Sequence, residues 1–112
     1  MTLEDEMGIQ VFDIGALKRF DDRKQVQETI WSDDHGRISM ICMKPGQEIH
    51  THTHHGNHVW TVIEGEGELL TGSERRPIRQ GEIVVVPPFE HHGIRNGSEG
   101  NLVIASFTTL GD

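Results

Sequence analysis

A chain of 112 residues has room for one domain with a single modest core. With 18 acidic against 10 basic residues it carries a formal charge of −8, and no lysine or arginine stripe interrupts that charge, so nucleic acid and anionic membrane surfaces are poor partners. No apolar run approaches the roughly 18 residues of a spanning helix, and the acidic start MTLEDEMG lacks the basic-then-apolar order of a secretion signal, so a cytoplasmic location is expected.

Residues 1–24 read as an N-terminal arm, with Ile9-Gln10-Val11-Phe12 as a short extended piece and Asp13 as N-cap of one or two helical turns ending by Phe20. Residues 25–112 read as one β domain. Gln25 to Trp31 alternates as a strand, Ser32 to Gly36 is turn chemistry, and Arg37 to Lys44 returns, making a hairpin with His35 at its solvated tip. The lone cysteine, Cys42, excludes an internal disulfide and sits in an apolar run as a small buried hydrophobe.

After the Pro45-Gly46 turn, Glu48 to His54 reads as a strand and His58 to Glu64 as another, β-branched and aromatic. Gly65-Glu66-Gly67 bends the chain into Glu68 to Thr71, with Glu64 and Glu66 solvated there, and Gly72 to Arg76 is a polar turn. Ile83 to Val86 is a strand ended by Pro87-Pro88, Asn96 to Gly100 is a turn, and Leu102 to Thr108 is the last strand. About eight short strands punctuated by glycine and proline, with almost no helical periodicity, predict an all-β sandwich or barrel whose interior alternates with its exterior along every strand.

Five of the eight histidines fall within the nine positions 50–58. His52 and His54 are two apart, so on a strand both imidazoles leave one face, and a turn at Gly56-Asn57 can return the chain with His58 beside them. Three imidazoles converging on one point make a metal site, to which the later pair His91-His92 can add a fourth ligand. Strand parity also puts His50 on the ligand face, where it is the candidate catalytic acid or base. His55 has the opposite parity and reads as a loop residue, and His91 as a surface one. Alternation from His58 turns Trp60 inward, to wall the pocket or join the core.

The stretch Gly46-x5-His52-x-His54-x3-His58-x6-Gly65 resembles the first sequence motif of the cupins, and Gly81-x5-Pro87-x-Phe89-x2-His92-x3-Asn96 resembles the second. Fifteen residues separate the two, the short spacing of compact bacterial single-domain members. The resemblance implies a jelly-roll barrel, or double-stranded β-helix, with His52, His54, His58 and His92 as metal ligands. Two positions depart from the family pattern: His58 stands where a glutamate ligand is usual, and Phe89 stands where a glycine is usual, with its ring able to close the barrel mouth.

Four neutral imidazoles would leave one divalent transition metal with its full charge and, in a six-coordinate ion, two open positions. Imidazole suits Fe, Ni, Cu and Zn, and the family also uses Mn; an open site favours Fe, Mn or Ni over closed tetrahedral Zn. The expected function is a metal-dependent enzyme of dioxygenase, isomerase or lyase type acting on a small anionic or oxygen-rich molecule; the alternatives are a non-catalytic module that binds or senses a small ligand, and a metal that only staples the barrel. The resemblance further implies a homodimer in which the Ile9 to Phe12 stretch adds an edge strand to the partner's sheet.

Overall fold

The computed structural model describes residues 8–109. They form one helical turn, α1 (Ile14–Leu17), and the strands β1 (Val26–Ser32), β2 (Gly36–Met43), β3 (Glu48–His52), β4 (His58–Glu64), β5 (Glu66–Leu70), β6 (Arg75–Arg79), β7 (Ile83–Val86), β8 (His92–Arg95) and β9 (Leu102–Thr109). Two antiparallel sheets result, one in the order β1-β2-β9-β4-β7 and the other β3-β8-β5-β6. This is the expected all-β jelly roll. No helix among the described residues is long and apolar enough to cross a membrane.

The alternation seen in the sequence sorts side chains between the two faces of each sheet. From the five-stranded sheet, Ile41, Met43, Trp60, Val62, Leu102 and Ile104 point inward and meet Ile78 and Ile94 of the other sheet. Each such side chain contributes about 1.5–3 kcal/mol by leaving water. A second cluster, Met40, Cys42 and Val103, lies on the outer face and is covered by Leu17 and Phe20 of the N-terminal segment. Asp13 caps α1 by accepting from the Gly15 amide at 3.0 Å. Lys18 then pairs with Glu64 at 2.6 Å, Gln47 Nε2 donates to the Asp21 carbonyl at 2.7 Å, and Lys44 pairs with Asp22, which together dock the segment on the barrel. Cys42 is a buried free thiol whose pKa is raised mainly by that burial.

Three expectations for secondary structure are corrected. The polar turn expected over 72–76 gives way to the edge strand β6 from Arg75, in which Ile78 alone is buried, so the sequence offers one inward hydrophobe and no visible alternation. Pro77 is tolerated there because an edge strand has one side free of ladder bonds. The expected Glu48 to His54 strand ends at His52. Ile9 to Phe12 is not a strand, and Ile9 and Val11 are 98% and 91% exposed. The remainder of the expected arm, residues 1–7, lies outside the described residues.

The two sheets differ in what they show outward. Ladder partners Trp31, Ile38, Phe107, Val59 and Val85 form an apolar row across all five strands of the larger sheet. On the smaller sheet the corresponding row is charged, with Arg95 between Glu48 at 3.8 Å and Glu68 at 3.6 Å.

Candidate metal centre

Four histidine rings meet at one end of the barrel, between the sheets. His52 ends β3 and is the ladder partner of His92, which begins β8. His54 sits on the loop after β3, and His58 begins β4 on the opposite sheet. The His52 ring lies 4.5 Å from those of His54 and His92, and the His58 ring lies 4.3 Å from His54 and 4.8 Å from His92. The ligand nitrogens of His52, His54 and His92 all lie within 4.8 Å of one another, and the His58 ring packs beside that trio. The sequence named these four residues as ligands; the structure brings His52, His54 and His92 together as a group that could hold an ion and places the His58 ring in contact with it.

Hydrogen bonds fix how two of the rings face. His52 Nδ1 lies 2.8 Å from the carbonyl of His50, and His92 Nδ1 lies 2.9 Å from that of Glu90. A carbonyl only accepts, so Nδ1 of each neutral ring holds the proton and Nε2 holds the lone pair. Such a backbone tether is the usual way a metal-binding imidazole is oriented. Two nitrogens on one ion with bonds of about 2.1 Å stand about 3.0–4.2 Å apart. The trio therefore fits a transition metal after closing by less than about an ångström, and an all-nitrogen set suits Fe, Ni, Cu or Zn.

Parity fails at His50. Ile49 packs on the core and His52 lines the cavity, although three positions separate them. The register of β3 against β8 shifts between these residues, and the extra residue turns His50 outward. Its side chain is 90% exposed and its Nδ1 is 3.0 Å from Glu48 Oε2. His50 is thus placed away from the ligand face on which alternation put it. The shift packs tightly on Gly93: a Cβ there would lie 2.5 Å from the Ile49 carbonyl oxygen and 2.9 Å from the backbone of both His50 and Thr51. His55 and His91 are exposed, as their positions implied.

Of the second-motif residues, Asn96 follows β8 at the end of that strand away from His92. Asn96, fully buried, donates to the carbonyls of Met43 and Gly100 at 3.0 and 2.9 Å and accepts from Ser98, so its role is structural. The motif glycines Gly46, Gly65 and Gly81 have φ of 86°, 82° and 92°, and Phe89, standing where the family has glycine, has φ of 66°. That backbone form costs a side-chain-bearing residue about 1–2 kcal/mol. It is held by the Phe89 amide donating to the His54 carbonyl at 2.9 Å, while the ring stands over His55 at 5.2 Å and is 64% exposed. Phe89→Gly is expected to stabilise the fold by a net ~0.5–1 kcal/mol in urea unfolding, since the larger conformational freedom of unfolded glycine offsets part of the relief. A loss of stability would show that the ring contact outweighs the backbone strain.

The histidines open into a cavity of about 290 Å³ whose wall includes Gln27, Thr29, Arg37, Ser39, Trp60, Ser106 and Thr108. Trp60 is 2% exposed, edges against His92 at 5.6 Å, and its indole N–H has no acceptor among the described residues. Leaving such a donor unpaired costs about 1–3 kcal/mol. A larger groove of about 530 Å³ is lined by Glu66, Glu68, Arg79 and Glu82 on the smaller sheet, away from the histidines, and has no converging ligand set. Sequence reading missed the contribution of Arg37, Ser39, Ser106 and Thr108; period two puts each pair on one face of its strand, but only the ladder register sets them against the histidines.

Comparison with known proteins agrees with this architecture. A protein from Klebsiella pneumoniae, described as an uncharacterized conserved protein with a double-stranded β-helix domain, superposes with a TM-score of 0.87 at 24% identity over 94% of this chain and 93% of that one. An RmlC-like cupin from Desulfovibrio desulfuricans superposes with a TM-score of 0.77 at 27% identity, covering 88% and 96% of the two chains. An uncharacterized protein of Aquifex aeolicus is 29% identical over 69 residues, a match that spans 62% of this chain but only 56% of that protein. The sequence model of the cupin domain matches residues 39–108, from the second strand to the last. With more than half of its length matched by that model, the chain belongs to the cupin domain family.

Proposed function

We propose that the chain binds one divalent transition metal through His52, His54, His58 and His92, and that the loaded cavity acts on a small anionic or oxygen-rich molecule. The observation that carries this reading is the pair of Nδ1-to-carbonyl bonds, which turn the Nε2 lone pairs of His52 and His92 toward a group of three histidines, two of which, His52 and His54, line the cavity. His58, on the opposite sheet with its ring 4.3 Å from His54, supplies the fourth nitrogen by a small ring rotation. When bound, the ion supplies a Lewis acid for a coordinated oxygen and, with a redox metal, a centre for dioxygen chemistry. The protein's part is to hold the ligand in a space too small for bulky substrates, with hydroxyls and an indole N–H along its wall.

The test is oxygen uptake and substrate loss across a panel of small carboxylic acids, phenols and thiols, using metal-loaded protein with His52→Ala as the blank. Turnover by the native protein alone supports the enzyme. A bound metal with no exchangeable water and no turnover would leave it only a staple for the barrel.

We infer also that two chains pair through the outer face of the larger sheet. Its apolar row is exposed at Trp31, Ile38, Phe107 and Val85, and Ile9 and Val11 stand on the segment whose later residues Leu17 and Phe20 already cover the neighbouring part of that face. A twofold pairing would let each chain's segment cover the partner's row. Light scattering should give twice the monomer mass, and Phe107→Asp should reduce it to one chain; a native monomer would refute the pairing.

A further inference from the structure

The rows of the larger sheet determine what faces the histidines. Arg37 of β2 is the ladder partner of Thr108 of β9, and Thr108 is the partner of His58 of β4, so a guanidinium, a hydroxyl and an imidazole stand side by side on the inner face. One row deeper, Ser39, Ser106 and Trp60 are paired in the same way. All six line the cavity. Two strand spacings put the backbones of Arg37 and His58 about 10 Å apart, a distance that side chains from both ends reduce to the length of a small organic molecule.

The charge of this wall is opposite to that of the chain. The sequence holds 18 acidic residues against 10 basic ones, yet the cavity lining has no carboxylate and one guanidinium. Arg95 is held by Glu48 and Glu68, whereas Arg37 makes no ion pair among the described residues. A second donor, the buried Trp60 N–H, also has no acceptor among them. A guanidinium on a cavity wall without competing anions suits a carboxylate.

We propose that Arg37 is the anion-binding half of the cavity, so that the ligand is a small acid with two oxygen-bearing ends, one directed at the histidines and the other a carboxylate held by Arg37. This assignment rests on the metal reading of the histidine cluster and narrows its substrate class to compact dicarboxylates or acids of equivalent span. Thr108, between Arg37 and His58, then marks the middle of the ligand.

The full chain loaded with Co(II) provides the test, with its visible absorption followed on addition of malonate, succinate, glutarate and, as the single-carboxylate control, butyrate. At least one diacid should bind about tenfold or more tighter than butyrate, the gain expected of one charge-assisted fork. Arg37→Gln should abolish that preference while leaving cobalt stoichiometry unchanged, and Arg37→Lys should restore part of it. A preference that survives in Arg37→Gln, or a native protein that prefers no diacid, overturns the assignment whether or not the variants fold well. A cobalt spectrum that moves with butyrate as well as the diacids but ignores Arg37 leaves the metal reading standing and removes only the Arg37 site. A spectrum that moves with none of the acids removes the open coordination position, and this proposal with it.

Discussion

His52→Ala should reduce metal content from about one ion per chain to a small fraction of that, with affinity falling at least about 100-fold, beyond the usual cost of losing a ligand's outer hydrogen-bond partner. His52 suits the experiment better than His92 because it is only half-buried, whereas His92 is 2% exposed and its truncation would also open a cavity. A metal that binds the folded chain and not the unfolded one adds about 4 kcal/mol at a thousandfold excess over Kd. For a domain of this size that corresponds to a rise in Tm of roughly 10–25 °C. The variant in metal should therefore melt where stripped native protein melts. Atomic emission of dialysed protein and scanning calorimetry with and without chelator would measure both effects. Native-like metal affinity in His52→Ala would remove the residue from the site.

Gly93→Ala should be the most damaging single-methyl change at this end of the barrel. The added Cβ meets three backbone atoms of β3, at 2.5 Å from the Ile49 carbonyl oxygen and 2.9 Å from His50 and Thr51, and backbone has little room to yield. Overpacking of this kind costs about 1–3 kcal/mol, and more where the opposing atoms cannot move. The functional effect should exceed the thermodynamic one. Pushing β3 away moves His52 from its ladder partner His92, so the variant should lose metal affinity even at temperatures where it stays folded. Denaturant unfolding beside a metal titration separates the two losses. A variant with native metal affinity would show that the irregularity in β3 does not control where His52 points.

The sequence made most of the barrel legible because its strands alternate cleanly. Gly36–Met43 and Leu102–Thr109 send every second side chain to one face, and period two is all that a half-buried strand requires. His52, His54, His58 and His92 were readable from motif spacing. His50 was misplaced because parity assumes an unbroken ladder, and one extra residue opposite Gly93 inverts it. β6 was missed because an edge strand buries a single side chain, Ile78, and so carries no periodic signal. Arg37 was missed for a different reason. Its importance depends on register with Thr108 and His58, a long-range pairing that local pattern does not encode.

The unlike outer faces of the two sheets imply opposite responses to dissolved salt. The half-buried Glu48, Arg95 and Glu68 charges are partly screened as ionic strength rises, so simple electrolytes such as sodium chloride should loosen that face slightly. The Trp31 to Val85 row has no charge to screen, and sulfate, which is excluded from protein surfaces, favours its removal from water. Ammonium sulfate should therefore strengthen pairing along that side only, and a twofold contact stops at two chains.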